Sequence, residues 1–411
     1  MSFVLTRTDI LDVCAGACLL GSGGGGSYVV GKRLVTKGIG ADQTVTVVEP
    51  SDLKPDAYLC ICADMGAPHL AFSKPSLYAP GNAVAALTDI YFPLINAREA
   101  SFHAVCSIEI GAINTVVSLL VAAQRNCVAV NADGAGRAVP RLEMLLFAAY
   151  GEAKGFPIFP NAVANDGGPQ EAVDAGFIKI GGPQPELDAE GAFFALASAQ
   201  PFGSLCGLAI WPMQARTLQQ HAPVLGSIYD SLCIGRIVGS GQRGAIRVAE
   251  ISAYLAQGRQ PGYGPRQSKT VFHGYVTNMT EEAGSLDIGQ IVVSAEPDGS
   301  GDVLTIYYQN ENLIASLASD PTKPHVMGPD TIALLPATAI GTPAQNVVDN
   351  SDLFNLWQWG VRPLEVYVIA IEAPAIVKQN STLVNNWLGT LNRMLGYTGS
   401  FVEPWLTLAP A

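Results

Sequence analysis

The chain has 411 residues, of which 49% are hydrophobic and only 14% are charged, a balance typical of a large buried core. Its formal net charge is −12 and no segment concentrates Lys or Arg, so the chain lacks the basic surface of a nucleic-acid-binding protein and would be repelled by anionic membranes. We therefore expect a small-molecule ligand, and neither nucleic acid nor membrane as a partner.

The N-terminal segment predicts a helix over residues 9–20, with Thr8 as its N-cap. An apolar run after Arg7 could also be a signal peptide, but Asp12 interrupts the run and no small-residue cleavage site follows it. No apolar run reaches the ~18 residues of a membrane span. The eight cysteines lie mostly in apolar runs and form no CxxC pair. These features predict a soluble cytoplasmic protein with reduced thiols and no structural zinc site.

Strands and helices are predicted to alternate through the N-terminal half. The predicted strands are 44–48, 58–63, 103–108, 127–131, 177–180 and 206–210, and the predicted helices are one beginning near Ser27 and those at 82–97, 114–124, 141–150, 187–198, 224–237 and 245–257. Alternation of this kind indicates an α/β fold in three layers with a mostly parallel sheet. We assign this domain to residues 1–265.

The composition changes after the Pro- and Gly-rich stretch 260–267, which predicts a linker. Short β runs follow, at 270–278, 290–295, 303–309, 332–335 and 366–371. They predict a smaller β sandwich or barrel domain at residues 266–375. Residues 376–411 are predicted to form a C-terminal helix, at 382–395, and a tail.

Three predicted strands of the N-terminal half end in a carboxylate beside a glycine. Asp64 follows the second strand, Glu109 the third, and Asp133 the fourth, with Arg137 close behind. Ligands of open α/β sheets bind at the carboxyl ends of the strands, where glycines let the backbone approach closely. We predict that Glu109, Asp133 and Arg137 share one crevice and perform acid–base chemistry. Ordinary N-caps and turns would explain any one of these exits, but the three together favour a site.

A glycine-rich loop, Gly21–Gly26, separates the first two predicted helices. It follows a helix rather than a strand and lacks the Lys-Ser/Thr ending of a P-loop, so it is a weak nucleotide signal. A backbone cradle for a carboxylate or ring carbonyl and a flexible connector are the two alternatives.

Two further questions stay open at the level of sequence. Polar residues of the β half, including Glu311 and Asp330, could face the crevice between the domains or only cap turns. A divalent metal ion is a candidate cofactor, although no ligand spacing is diagnostic of one. Its candidate ligands are Asp64, His69, His103, Glu109 and Asp133.

Ordered motifs extend over most of the chain. They are LGSGGGG at 20–26, MGAP at 65–68, EIGAIN at 109–114 and DGAGRAVP at 133–140, with weaker ones at 310–313, 328–330 and 359–361. Together they resemble the S-methyl thiohydantoin desulfurase family, which implies an α/β domain followed by a β domain. The chain departs from the family pattern at Ser27, His69, Asn131 and Val139.

The resemblance implies hydrolysis of an S-methylated thiohydantoin ring with release of methanethiol, and an association with hydantoinase/oxoprolinase-type proteins. We expect a hydrolase of hydantoin-like rings with Glu109 or Asp133 as base, in which a divalent metal could replace one role. Arg137 and the loop amides would hold an anionic ring or carboxylate. The expected substrate-binding residues are Gly23, Gly24, Gly25, Gly26, Asp64, Asn114, Glu311 and Asp330. The alternative is a non-catalytic ligand-binding partner or subunit of a hydantoinase/oxoprolinase-type enzyme; a homo-oligomer also fits.

Overall fold

The computed structural model describes residues 2–66, 71–72, 76–167, 173–179, 185–199, 202, 205–258, 264–282, 286–341 and 345–407. His69, a candidate metal ligand, lies outside these residues, as do the end of the MGAP motif and the first half of the predicted linker.

The first part of the chain alternates strands with helices. Its strands are β1 (Phe3–Thr6), β2 (Thr44–Val48), β3 (Tyr58–Gly66), β4 (Ala104–Ser107), β5 (Val128–Val130), β6 (Ala132–Asp133), β7 (Ala162–Ala164), β8 (Ala175–Gly176), β9 (Leu205–Gln214) and β10 (Val224–Leu225). Its helices are α1 (Arg7–Leu20), α2 (Tyr28–Gly38), α3 (Ala79–Leu94), α4 (Asn114–Arg125), α5 (Leu146–Tyr150), α6 (Pro185–Ser198), α7 (Ala215–Gln220), α8 (Ser227–Val238) and α9 (Gly244–Ala256).

Eight of these strands form one mixed sheet in the order β1-β2-β5-β4-β3-β9-β7-β8. The four strands β2, β5, β4 and β3 pair in parallel, and the strands at both edges are antiparallel. Alternate residues of β3 enter two different cores, Cys60 and Cys62 on one face and Leu59 and Ile61 on the other. The three-layer α/β class is therefore confirmed, but the sheet is mixed rather than mostly parallel, because parallel pairing is limited to the central strands.

The second part of the chain is an antiparallel sheet. Its strands are β11 (Ser268–Glu282), β12 (Ile288–Ser294), β13 (Val303–Gln309), β14 (Glu311–Leu317), β15 (Val326–Met327), β16 (Thr331–Pro336) and β17 (Leu364–Ile371). They lie in the order β15-β14-β13-β12-β11-β17-β16, and β16 packs back against β14 and β15, so the sheet curls into a half-barrel. The predicted β domain class is confirmed.

Four helices accompany this half-barrel and the chain end: α10 (Asn350–Gln358), α11 (Ala375–Lys378), α12 (Ser381–Leu395) and α13 (Pro404–Thr407). Leu353, Leu356 and Trp357 of α10 fill the core of the half-barrel. The sequence pattern did not predict α10. Among the described residues, none of the helices has the length and apolar character needed to cross a membrane.

Three local predictions were wrong. Thr6, not Thr8, is the N-cap of α1, because its hydroxyl accepts from the Asp9 amide while the Asp9 carboxylate accepts from the Thr6 amide. The predicted helix 141–150 is a 3-10 turn followed by the short α5, because Leu145 is extended and the Leu146 amide donates to the Gly134 carbonyl. Residues 177–179 of the strand expected at 177–180 are not in a strand, and Phe177 is exposed. The observed strand is the two-residue β8, which ends at Gly176.

Candidate functional site

A cavity of about 140 Å³ lies where the glycine loop, the ends of β3 and β4, and the start of β14 meet. Residues of both halves of the chain line it. Its charged and polar lining residues are Asp64, Glu109, Asn114, Arg141, Glu190, Asn310, Glu311, Asp349 and Ser351; its apolar lining includes Ile108, Ile113, Val139, Leu142, Phe193 and Leu286. Gly23, Gly24, Gly25 and Gly26 complete the wall, so eight of the residues predicted for the site lie together.

The glycine loop is tightly packed rather than a flexible connector. Gly23, Gly25 and Gly26 have positive φ angles of 86°, 70° and 94°, which favour glycine. A Cβ added to Gly25 would lie 2.5 Å from the Gly111 Cα, and one added to Gly24 would lie 2.0 Å from Glu311 Oε1. The loop therefore needs small residues because the Gly111 turn and a carboxylate of the β half both press against it.

Glu109 follows β4 and points into the cavity with its carboxyl group fixed at both oxygens. Its Oε1 accepts from Asn114 Nδ2 at 2.7 Å, and its Oε2 accepts from the Val139 amide at 2.7 Å. Asn114 is the first residue of α4, and its Oδ1 accepts from the Asp64 amide at 3.0 Å, which ties the ends of β3 and β4 together. Burial raises the pKa of Glu109 to about 7, although both hydrogen bonds oppose that rise.

Glu311 and Asp64 each have one oxygen to which no group of the described residues donates. Glu311 is 2% exposed, and its Oε1 accepts from the Gly25 amide at 3.1 Å. Within the described part of the chain, Glu311 Oε2 and Asp64 Oδ1 are buried without a hydrogen-bond partner. Burial raises the pKa of both carboxyls well above their usual range, and the nearby Glu109 charge adds to the rise at Glu311. We refer to Asp64, Glu109 and Glu311 as the pocket carboxyls.

Arg137 does not line this cavity, and its guanidinium binds backbone instead. Its Nη1 donates to the Asp330 carbonyl and its Nη2 to the Asn312 carbonyl, both at 2.6 Å, and its Cζ lies 5.2 Å from the centre of the Trp387 ring. Burial lowers its pKa to about 10, and the neighbouring Glu311 is the first of the charges that oppose this fall. Arg137 therefore joins the α/β half to β14 and to the turn before β16.

Asp133 and Asp330 also lie outside the cavity lining, and protein donors bind both oxygens of each. Asp133 Oδ1 accepts from the amides of Ala135 and Gly136, and Oδ2 accepts from the Ser227 hydroxyl. Asp330 accepts from the Ala373 amide at 2.8 Å and from Trp405 Nε1 at 3.0 Å. We refer to Asp133, Arg137 and Asp330 as the internal anchors.

The expectation of one crevice for Glu109, Asp133 and Arg137 is corrected accordingly. Only Glu109 reaches the cavity. Asp133 is held away because it lies in β6, which pairs antiparallel with β10 and brings the Ser227 hydroxyl onto its carboxylate.

Sequence reasoning missed Asp349, a further carboxylate at the cavity wall. Asp349 caps α10 by accepting from the Asp352 amide at 3.0 Å, and it also accepts from the Tyr28 amide of α2 at 2.8 Å. Asp352 in turn accepts from the Ser27 hydroxyl at 2.7 Å. The spacing of Asp349 and Asp352 before an apolar run is a capping signal that could have revealed α10.

Arg141 and Glu190 were also missed, and they pair at the cavity wall. Arg141 Nη1 lies 2.9 Å from Glu190 Oε2, and Glu190 Oε1 accepts from the Leu142 amide at 3.0 Å. Burial raises the pKa of Glu190 to about 7 against the effect of Arg141. Only the folded chain brings α6 to the turn after Pro140, so no local signal announces this pair.

Three of the four departures from the family pattern have local explanations, and the fourth, His69, lies outside the described residues. Ser27 is the N-cap of α2, and Asn131 Oδ1 accepts from the amides of Ile228 and Tyr229 in the first turn of α8. Val139 lines the cavity and donates its amide to Glu109.

The described residues contain no group of three or more His, Cys, Asp or Glu side chains placed to hold a metal ion.

Comparisons with known proteins cover most of the chain. The model of the S-Me-THD-like N-terminal domain matches residues 8–175, and that of the S-Me-THD-like C-terminal domain matches residues 194–384. An X-ray crystal structure of a protein from Chromobacterium violaceum is similar over 98% of this chain and 100% of that chain, with 26% sequence identity and a TM-score of 0.81. No curated protein matches the chain.

Proposed function

Because the chain belongs to the S-Me-THD-like family, we propose that it is a hydrolase that acts on a hydantoin-like ring in the cavity at Glu109. The proposed substrate is a small S-methylated thiohydantoin, and the proposed location is the cytoplasm. Water adds to the carbon between the two ring nitrogens, the C–S bond breaks and methanethiol leaves. One water proton ends on the sulfur and the other on nitrogen, so the product ring is a hydantoin.

The environment of Glu109 is the observation that carries this proposal. A general base works best when its pKa lies near the operating pH, and burial raises the pKa of Glu109 to about 7. Asn114 and the Val139 amide fix the orientation of the carboxylate, so little rearrangement is needed before it takes a proton from water. Glu109 then returns that proton to the departing sulfur.

The other predicted residues receive supporting roles in this proposal. Ile108, Ile113 and Val139 supply apolar walls that suit a ring and an S-methyl group. Arg137 and Asp133 do not reach the cavity, so we assign them to positioning through charge: Arg137 lowers and Asp133 raises the pKa of Glu109.

The test measures turnover on S-methylated thiohydantoins and on hydantoins. Thiol release is followed with a chromogenic thiol reagent, and the ring product is identified by mass spectrometry. Removing a general base typically lowers turnover about 10²–10⁴-fold, so Glu109→Gln should lose activity on that scale while the protein stays folded.

Glu281→Gln is the matched control, because burial also raises the pKa of Glu281 to about 7 but this residue does not line the cavity. It should keep the parent rate. A parent protein that binds these rings without releasing thiol or opening the ring would contradict the proposal and support the alternative of a non-catalytic partner of a hydantoinase-type enzyme.

A further inference from the structure

The charges around the cavity indicate how the ring is bound. Five carboxyl groups line the wall, and Arg141 is the one cation among the described lining residues. Arg141 already forms an ion pair with Glu190 at 2.9 Å, so its positive charge is largely neutralised within the protein. The four carboxyls that remain are Asp64, Glu109, Glu311 and Asp349. An anionic ligand would therefore find no unpaired cation among the described lining residues, whereas a ligand with positive charge or N–H donors would find carboxyl groups that can accept from it.

Two acceptor atoms without donors also favour a ligand that carries N–H groups. Glu311 is almost fully buried, yet its Oε2 binds no group in the described structure, and Asp64 Oδ1 is in the same condition. A buried acceptor without a donor costs about 1–3 kcal/mol, and of the buried polar atoms without a partner in the described residues, these two belong to residues that line the cavity. A ligand that brings N–H donors into the cavity would remove this cost at both oxygens.

We propose that Glu311 and Asp64 bind the N–C–N edge of the ring as a cyclic amidinium-type cation, so that the S-methylated ring reacts in its N-protonated form. The inference rests on the proposed function and names the form of the substrate that the site recognises. It replaces the expectation that the glycine loop holds an anionic ring: the Gly25 amide is occupied by Glu311, and the loop serves to place that carboxyl.

The proton balance of this step closes within the site. A buried, protonated Glu311 gives its proton to the ring nitrogen as the neutral ring binds, which leaves a carboxylate paired with a cation. Positive charge spread over N–C–N makes the central carbon more electrophilic toward the water activated by Glu109. When the hydroxyl of the addition intermediate becomes the new carbonyl, its proton returns to Glu311.

Arg137 is the positively charged residue that acts on Glu311. Its guanidinium acts on Glu311 from behind the cavity wall and opposes the rise of the Glu311 pKa. Its Nε, Nη1 and Nη2 each donate to a backbone carbonyl, those of Ala138, Asp330 and Asn312, so its effect on Glu311 is through charge.

Two non-reacting rings of equal size separate this inference from the proposed function. The first is 2-amino-2-imidazoline, a cyclic guanidinium that is a cation at neutral pH; the second is 2-imidazolidinone, the neutral cyclic urea. Calorimetric titration of the intact parent protein should show at least ~10-fold tighter binding of the cation. Titrations in buffers of different ionisation enthalpy should show release of a proton, because the permanent cation displaces the proton of Glu311.

Variants identify the residues that cause the tighter binding of the cation. Glu311→Gln should remove most of it, Asp64→Asn part of it, and Glu281→Gln none. Equal or tighter binding of the urea to the parent protein would overturn the inference, as would binding of the cation without proton release. Neither result depends on turnover, so thiol release from S-methylated thiohydantoins can still succeed when the inference fails, and absence of thiol release counts against the proposed function alone.

Discussion

The pocket carboxyls and the internal anchors are two groups of ionisable residues that differ in their position relative to the cavity and, at Glu311 and Asp64, in their hydrogen bonding. Both groups lie in or beside the ordered sequence motifs, and all of their members except the half-buried Asp64 are buried. Every carboxylate oxygen of the anchors accepts from a protein donor, whereas Glu311 Oε2 and Asp64 Oδ1, which belong to residues that line the cavity, have no hydrogen-bond partner in the described part of the chain. Position at the cavity separates the two groups, and unused hydrogen-bonding capacity adds a second difference at Glu311 and Asp64, whereas both oxygens of Glu109 accept from protein donors as those of the anchors do.

The pKa values alone would not make this distinction. Burial raises the pKa of Asp133 to about 6 and that of Asp330 to about 7, which is as high as the pKa of Glu109. Perturbed ionisation is common in structural networks as well as in active sites. The following variants test the comparison by asking whether each group acts on stability or on ligand chemistry.

Arg137→Met should give the largest change in stability. Removing the guanidinium takes the Arg137 donor from the Asp330 carbonyl, leaves the Asn312 carbonyl with the Ser22 hydroxyl at 3.3 Å, and leaves nearby buried carboxyls without a compensating charge. Loss of one partner from such an arrangement typically lowers the free energy of unfolding by about 3–5 kcal/mol, which denaturant titration will measure. Arg236→Met is the control, since Arg236 is exposed and pairs with Asp9 at the surface, where an ion pair contributes little. A folded, stable Arg137→Met protein without turnover would instead place Arg137 in the chemistry.

The pH dependence of stability should follow the raised pKa of Glu109. Its pKa of about 7 in the folded protein lies above the ordinary value of ~4.3, so folding is favoured most at low pH and this contribution is lost as pH rises through about 7. Glu109→Gln removes the titration. Between about pH 5 and 8 the parent should lose more stability than this variant, by an amount on the order of 2 kcal/mol. Parallel curves for the two proteins would show that Glu109 titrates normally and is unsuited to be the base.

Much of the cavity follows from strand order. Several strands lie where the sequence predicts them, for example at residues 44–48 and 303–309. Strands β3 and β4 pair in parallel, so their carboxyl ends meet at one edge of the sheet. This is why Asp64 and Glu109 both line the cavity, as expected.

The anchors could not be distinguished from cavity residues in the same way. The acceptors of Arg137 lie 193 and 175 residues further along the chain, at Asp330 and Asn312. Asp133 follows the same strand-then-glycine pattern as Glu109, and only the pairing of β6 with β10 decides that its carboxylate meets Ser227 rather than the cavity. Local composition gives the same signal for both outcomes, because a turn carboxylate and a cavity carboxylate differ only in their distant partners.

Asp133→Asn should produce a moderate loss of stability with little effect on the chemistry. An amide retains one acceptor oxygen, so it cannot accept from Ser227 and from the amides of Ala135 and Gly136 at the same time. We expect the free energy of unfolding to fall by about 1–3 kcal/mol, with turnover per folded molecule changed only a few-fold. Asp298→Asn, at an exposed turn, should leave the unfolding midpoint unchanged. A loss of turnover comparable to that of Glu109→Gln would return Asp133 to the catalytic group.

Gly24→Ala is the smallest change and tests the placement of Glu311 without altering any charge. Gly24, unlike its neighbours Gly23 and Gly25, does not have a positive φ, so alanine is compatible with its backbone. The new methyl group would lie 2.0 Å from Glu311 Oε1, and the end of that side chain can shift only by giving up its bond from the Gly25 amide. Binding of 2-amino-2-imidazoline should weaken by about 3–10-fold, which corresponds to about 1 kcal/mol, with a similarly small change in stability. Gly389→Ala is the matched control, because its Cβ would meet only Arg393 Nη1 at 3.4 Å, in α12 and outside the cavity lining. Unchanged binding in Gly24→Ala would mean that the position of Glu311 does not determine recognition, and the contrast between the pocket carboxyls and the internal anchors would then have to rest on Glu109 and Asp64.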